Sequence, residues 1–243
     1  MRDDLLTWLS VRERVGWAEI ARPGGGPVRG GRDGVVDFVR TDVAARDPER
    51  AARLLTAFDR VRGAADRGGR LTYELLADWQ RQVLASPEVG FRTGPAYAKG
   101  GRERYGLAPD TLDRFQRCLG QATEPGVPLA GRAARAYLDV AFFHPFPDGN
   151  GRAAMLALYF LLVRDRAVPD LAAPVLRTVR RADDPDGAAD LVRLLDVLIA
   201  ATRRRSGAPP QTGPARPPGT AGRLTPPAGR PAPGSAPAPS PGR

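Results

Sequence analysis

Two apolar segments, residues 131–143 and 152–165, flank a short stretch of turn chemistry, HPFPDGNGR at 144–152. The first segment, ending in AYLDVAFF, reads as a helix that stops near Pro145, because proline pushes the residue before it out of the α region. Asp148-Gly149 and Asn150-Gly151 are turn pairs, since glycine accepts positive φ and lets backbone come close to a neighbour. A second helix then starts at about Gly151 and runs through Ala154, Leu156, Tyr159 and Leu162. The chain thus contains helix, tight loop and helix, and its single histidine, His144, stands where the first helix ends.

Helical periodicity continues on either side of this pair. Asp47 and Pro48 make an N-cap and first turn for a helix carrying Leu54, Leu55, Phe58 and Val61, with Gly68 and Gly69 to stop it. Thr72 opens a segment with Leu75, Leu76, Trp79, Val83 and Leu84 on one side, and Pro109 begins another with Leu112, Phe115, Cys118 and Leu119. A last helix holds Leu191, Leu194, Leu195 and Leu198 and ends in Arg203–Arg205, where cations suit the negative helix end. The one candidate for strand is a hairpin within residues 90–106. The pattern predicts a mainly α fold.

Three parts follow. Residues 1–45 form a partly flexible N-terminal segment, because RPGGGPVRGGRDG lacks the Gly-Lys-Ser/Thr ending of a phosphate loop and reads as a connector. Residues 46–205 form the domain. From 206 to 243 the chain carries 12 of its 25 prolines and no acid, a composition expected to stay disordered because it cannot bury enough apolar surface to offset ordering entropy.

Composition excludes several function classes. No run approaches the roughly 18 apolar residues of a membrane span, and the N-terminus has no apolar h-region, so neither membrane nor secretion is expected. One cysteine allows no internal disulfide, which fits a reducing cytoplasm, and one Cys with one His cannot build a zinc site. The net charge of +10 invites nucleic acid. Yet Lys99 is the only lysine, the arginines alternate with acids, and no basic-aromatic pattern appears, so nucleic-acid binding is not expected. Cys118 reads as core packing. Asp183, Asp184 and Asp186 read as a solvated helix-start loop.

Read as chemistry, the loop is more specific. A glycine-rich turn entering a helix points several free N–H groups at one spot, with the positive dipole end behind them, and phosphate is the usual occupant. Arg152 on the first turn adds a charge-assisted contact. Asp148 is a hard oxygen ligand suited to Mg²⁺, which binds through one or two carboxylates plus substrate phosphates. His144, with a reference pKa of about 6.5, is largely neutral at pH 7 and free to take a proton from a hydroxyl. Together these describe phosphoryl or nucleotidyl transfer to an alcohol.

HPFPDGNGR resembles the signature of the Fic (Fic/Doc, Fido) family, H-x-F-x-D/E-G-N-G-R-x-x-R, at seven specified positions. The resemblance implies a Fic-like helical bundle with a small β-hairpin flap. It also implies transfer of a nucleotide monophosphate, AMP from ATP foremost, to a Ser, Thr or Tyr hydroxyl of a target protein. On that reading His144 is the catalytic base and Asp148 holds Mg²⁺. Phe146, Gly149, Asn150, Gly151 and Arg152 make the nucleotide side of the site, with Phe146 as the packing anchor that seats the loop. Gly90, Phe91, Arg92 and Thr93 sit where a target-binding flap is expected. The signature's final arginine is Met155 here, and the chain holds no S/T-x-x-x-E-G/N inhibitory sequence, which leaves room for a separate antitoxin-like inhibitor. The alternatives are a Doc-like phosphotransferase, transfer of UMP or phosphocholine, and a catalytically weakened binding module. Doc-like motifs carry Lys where Gly151 stands.

Overall fold

The computed structural model describes residues 2–22, 26–28 and 31–207. The proline-rich tail and parts of the glycine-rich connector lie outside the described residues. Ten α-helices and one hairpin appear among those described, in the order α1 (Asp4–Arg14), α2 (Trp17–Ile20), α3 (Gly34–Phe38), α4 (Pro48–Asp66), α5 (Tyr73–Leu84), β1 (Ala96–Ala98), β2 (Glu103–Tyr105), α6 (Thr111–Gly120), α7 (Leu129–Phe143), α8 (Asn150–Arg164), α9 (Ala173–Arg177) and α10 (Pro185–Arg205). The fold is mainly α, with a two-stranded antiparallel hairpin pairing Ala96 with Tyr105 and Ala98 with Glu103. None of the described helices is long and apolar enough to cross a membrane.

The pair α7 and α8 is the centre of the bundle. Residues 153–162 of α8 are all buried, including Leu156, Tyr159, Phe160 and Leu162, so this helix has almost no solvent face. A helix apolar all round has to be wrapped on every side. Here α7 and α4 cover most of it and α5 adds a further contact, while α10 packs on α7. Trp79 of α5 meets Phe160 at 5.4 Å between ring centres, and Phe58 of α4 meets Tyr159 at 4.6 Å. Rings at these separations add roughly 0.5–1.5 kcal/mol per pair beyond the area they bury.

Capping residues set the helix starts as the sequence indicates. Asp47 accepts from the Arg50 N–H ahead of α4, Thr72 from the Leu75 N–H ahead of α5, and Asp184 from the Gly187 N–H ahead of α10. The helix expected from Pro109 begins two residues later, at Thr111.

The N-terminal segment packs into the same core as residues 46–205. Trp8 is completely buried, and its indole N–H donates to Asp139 Oδ1 at 3.0 Å. Arg12 forks onto both oxygens of the same carboxylate, at 2.7 and 3.0 Å. Asp139, fully buried on α7, is thereby compensated by an indole and a guanidinium, as a buried carboxylate requires. At the other end of α1, Asp3 accepts from the Gly106 N–H and Asp4 from the Arg104 N–H, tying the helix start to β2.

Candidate active site

Helix α7 ends on His144 itself. The residue takes the left-handed conformation, φ 47° and ψ 57°, and its N–H bonds back to the Val140 carbonyl. A non-glycine residue there costs on the order of 1–2 kcal/mol, so the surroundings must hold it. Arg92 does so. Its N–H donates to the Pro145 carbonyl at 2.9 Å, and its buried guanidinium donates to the carbonyls of Phe143, Gly94 and Gly106. One residue thus grips the backbone on both sides of the histidine, Phe143 through its guanidinium and Pro145 through its own N–H.

Beneath the loop, Phe146 is fully buried and stacks on Tyr73 at 5.8 Å. Asn150 closes the turn with its side chain: Oδ1 accepts from the Phe146 N–H at 2.9 Å and Nδ2 donates to the Phe146 carbonyl at 2.8 Å. Phe146 lies in the core and lines none of the cleft, which is the place of the packing anchor the resemblance implies, and on the nucleotide side it acts only through the loop it seats. The Asn150 amide is spent on the loop, so its backbone N–H is the part left for an anion.

The imidazole is oriented by two contacts. It stacks on Tyr105 of β2 with ring centres 4.1 Å apart and 12° between planes. Nδ1 lies 2.6 Å from the Ala141 carbonyl. A carbonyl can only accept, so Nδ1 carries the hydrogen and Nε2 keeps a free lone pair. Burial depresses the pKa; the positive charges of Arg92 and Lys99 act the same way, against the Ala141 bond and Glu103. The ring is therefore a neutral base at pH 7.

A pH dependence follows. The neutral ring is the form that can take a proton, so this capacity is full above the folded pKa and falls as pH drops through it. Because that pKa is lowered, the fall lies below about pH 6.5. Stability moves in the same sense. The unfolded chain takes up its proton near 6.5 and the folded chain only at lower pH, so this contribution is lost as pH falls through that window. With one histidine in the chain, a single set of imidazole NMR signals should report both the Nδ1–H tautomer and the depressed titration.

The loop then turns into α8. Gly149 sits at φ +74°, and a Cβ on it would fall 2.4 Å from Gln80 Nε2, so the position needs glycine both for conformation and for space. Gln80, fully buried on α5, donates from that Nε2 to the Asp148 carbonyl at 2.8 Å and holds the turn from below. The Gly149 carbonyl accepts from Arg152 and Ala153. The N–H groups of Asn150 and Gly151, in the first turn of α8, have no helical carbonyl to bond. Arg152 pairs with Asp148 at 3.1 Å.

These groups line one cleft of about 550 Å³. His144, Asp148, Gly149, Asn150, Gly151 and Arg152 share it with Arg50 of α4, Tyr97 of β1 and Met155 of α8. Asp148 is well exposed, its side chain 78% accessible. Among the described residues no three His, Cys, Asp or Glu side chains gather into a cage for a metal ion. A single carboxylate at the mouth of a phosphate-sized cleft instead fits a cation shared with a substrate's phosphates.

The flap residues are not where the sequence reading put them. Gly90 to Thr93 precede the hairpin, and the strands are Ala96–Ala98 and Glu103–Tyr105. Arg92 is buried as the loop clamp, and Phe91 packs on Tyr73 and Phe115. The part of the hairpin that reaches the cleft is Tyr97 and Ala98, with Tyr97 57% exposed. Sequence reasoning also missed Tyr105, Gln80 and Ala141. Gln80 had a signal, as a polar residue on the face of α5 that carries Leu76, Trp79 and Val83. Cys118 packs against the core, its thiol pushed up to about 12 by burial and by Asp139, which leaves it unreactive at neutral pH.

Residues 70–162 match the model of the Fic/DOC family. No curated protein matches the chain. Solved structures similar to it include a Fic domain-containing signaling protein from Bacteroides thetaiotaomicron, 17% identical over 67% of this chain and 72% of that one, with a TM-score of 0.47. Fic-1 from C. elegans is 16% identical over 84% of this chain and 70% of its own, also at 0.47. The structure of IbpAFic2 covalently tethered to Cdc42 is 14% identical over 80% and 70%, at 0.46. Domains of this family generally transfer phosphate-linked groups to target proteins. The matched span runs from the start of the loop-bracing α5 region to the last buried turn of α8, with the whole His144 cleft loop inside it, so the part of the chain similar to the Fic/DOC family is the part that builds the cleft.

Proposed function

We propose that this protein transfers a nucleoside monophosphate, AMP from ATP in the first instance, to a hydroxyl side chain of a target protein. One observation carries the proposal: the lone pair of a neutral, tautomer-locked His144 shares a cleft with the open N–H groups of α8, Asp148 and Arg152. In the reaction the target's oxygen bonds to the α-phosphorus as the bond to the bridging oxygen of the leaving pyrophosphate breaks, and the hydroxyl proton passes to Nε2. The Asn150 and Gly151 N–H groups receive the charge that builds on the α-phosphate oxygens, the kind of preorganised donor worth several kcal/mol in such sites. Arg152 would leave Asp148 for the donor's phosphates. Asp148 would then hold Mg²⁺ together with those phosphates, and the ion supplies neutralisation of their charge. Tyr97, at the cleft edge of the hairpin, faces the side from which a target segment would enter. A panel of α-labelled nucleoside triphosphates with Mg²⁺, read by label on the protein itself and on added acceptor proteins, tests the reading. Label from ATP above the other bases is the expected result, and no label from any of them counts against it.

A further inference from the structure

Met155 leaves the cleft without the cation that the sequence signature places one turn beyond Arg152, and the neighbouring helix brings one to the same wall. Arg50, in the first turn of α4, lines the His144 cleft. It also lines a smaller adjoining cavity of about 210 Å³ that runs along Phe38, Val43 and Leu54. Arg50, Arg152 and Met155 are the three residues common to both spaces, so they form the partition between them. Arg50 and Arg53 both act on Arg152 through charge, lowering its pKa in the same direction as its burial. Two guanidinium groups, Arg50 and Arg152, therefore flank Met155, with Asp148 the carboxylate on the cleft side.

We propose that Arg50 is a specificity residue of this site, binding the outer phosphates of a nucleoside triphosphate from α4 in place of the arginine absent at position 155. The proposal rests on the nucleotide-transfer reading and deepens it. Arg50 is half exposed and held only through Nε, by Asp47 Oδ2 at 3.2 Å. Its terminal amino groups make no further bond among the described residues, so they are available without breaking a buried network. Met155, 8% exposed, offers the donor an apolar wall and no charge. Recognition by an arginine favours phosphate oxygens, and forked N–H groups can take two of them at once.

The test is calorimetric titration of ATP and of AMP, with Mg²⁺, into protein carrying His144→Ala so that no transfer occurs. Adding Arg50→Gln should weaken ATP by about ten- to a hundredfold, the usual loss for a charged phosphate contact, and leave AMP unchanged. Adding Met155→Arg to the Arg50→Gln protein should return most of that affinity. Unchanged ATP binding on Arg50→Gln, or equal weakening of ATP and AMP, would overturn the role given to Arg50 while the nucleotide reading stands. If the protein with Arg50 intact binds neither nucleotide, the nucleotide reading fails and Arg50's role with it. Thermal melting of each variant shows whether the fold is kept, and little change is expected because Arg50 lies on the surface.

Discussion

His144→Ala should lower transfer by about 10² to 10⁴ and leave the fold in place. The size follows from the loss of a positioned general base in a chain with no second histidine to replace it. The fold should survive because the ring's contacts are a stacking on Tyr105 and one bond to the Ala141 carbonyl, neither of which holds the core. Removing the side chain from a left-handed residue does not remove the conformational cost, so a small drop in melting temperature is expected. His144→Gly separates the two effects. Glycine accepts that conformation freely, and its melting temperature should match or exceed that of the alanine variant while transfer stays equally low. Near wild-type transfer by either protein would exclude His144 as the base.

Arg92→Ala should be the most damaging change outside the cleft. It deletes three bonds from a buried cation to carbonyls, each worth about 1.5–3 kcal/mol, and leaves those carbonyls without partners. A loss of several kcal/mol is expected, seen as a large fall in the denaturation midpoint. Arg92→Lys is the informative companion. A lysine keeps the charge but cannot reach three carbonyls from one planar fork. It should fold, with kcat reduced through a loosened His144 and KM for the target little changed. If Arg92 acted on the target as part of a flap, the lysine and alanine variants would instead raise KM and leave stability alone.

The misplacement of that flap shows what was legible in the chain and what was not. The hairpin was sought within residues 90–106 and is there, but strands of three residues carry too little alternation to locate their ends. Gly90 to Thr93 sit where the resemblance implies a target-binding flap. Nothing local to them reveals that Arg92 donates to carbonyls on either side of position 144, because those contacts span some fifty residues of sequence. The helices were far more readable, since Asp47, Thr72 and Asp184 are capping residues followed by periodic apolar positions, and cap and period are both local. The role of Trp8 is illegible in the sequence for the same reason as that of Arg92. Its partner Asp139 is a lone acid in an otherwise apolar helix, and only packing brings the two together.

The site was legible in its chemistry more than in its support. His144, Asp148, Gly149, Gly151 and Arg152 all line the cleft as the motif suggests. The Ala141 carbonyl that sets the tautomer, the Tyr105 ring, and Gln80 beneath the turn come from chain geometry and two other elements. Phe146 belongs to the motif yet faces the core, and Asn150 turns its side chain onto the loop while its backbone lines the cleft. A motif records which residues are needed, and does not distinguish those that touch a ligand from those that shape the loop around it.

In the proposed reaction the α-phosphorus of a donor moves to a hydroxyl with His144 as base. The most direct measurement is parallel incubation of the protein with ATP labelled at the α- or the γ-phosphate, with Mg²⁺, for wild type and His144→Ala. Protein-bound label from α-labelled ATP with wild type, little from γ-labelled ATP, and a fall of about a hundredfold or more in the variant are expected of this reaction. Label arriving from the γ-phosphate, or equal labelling of the two proteins, would contradict it.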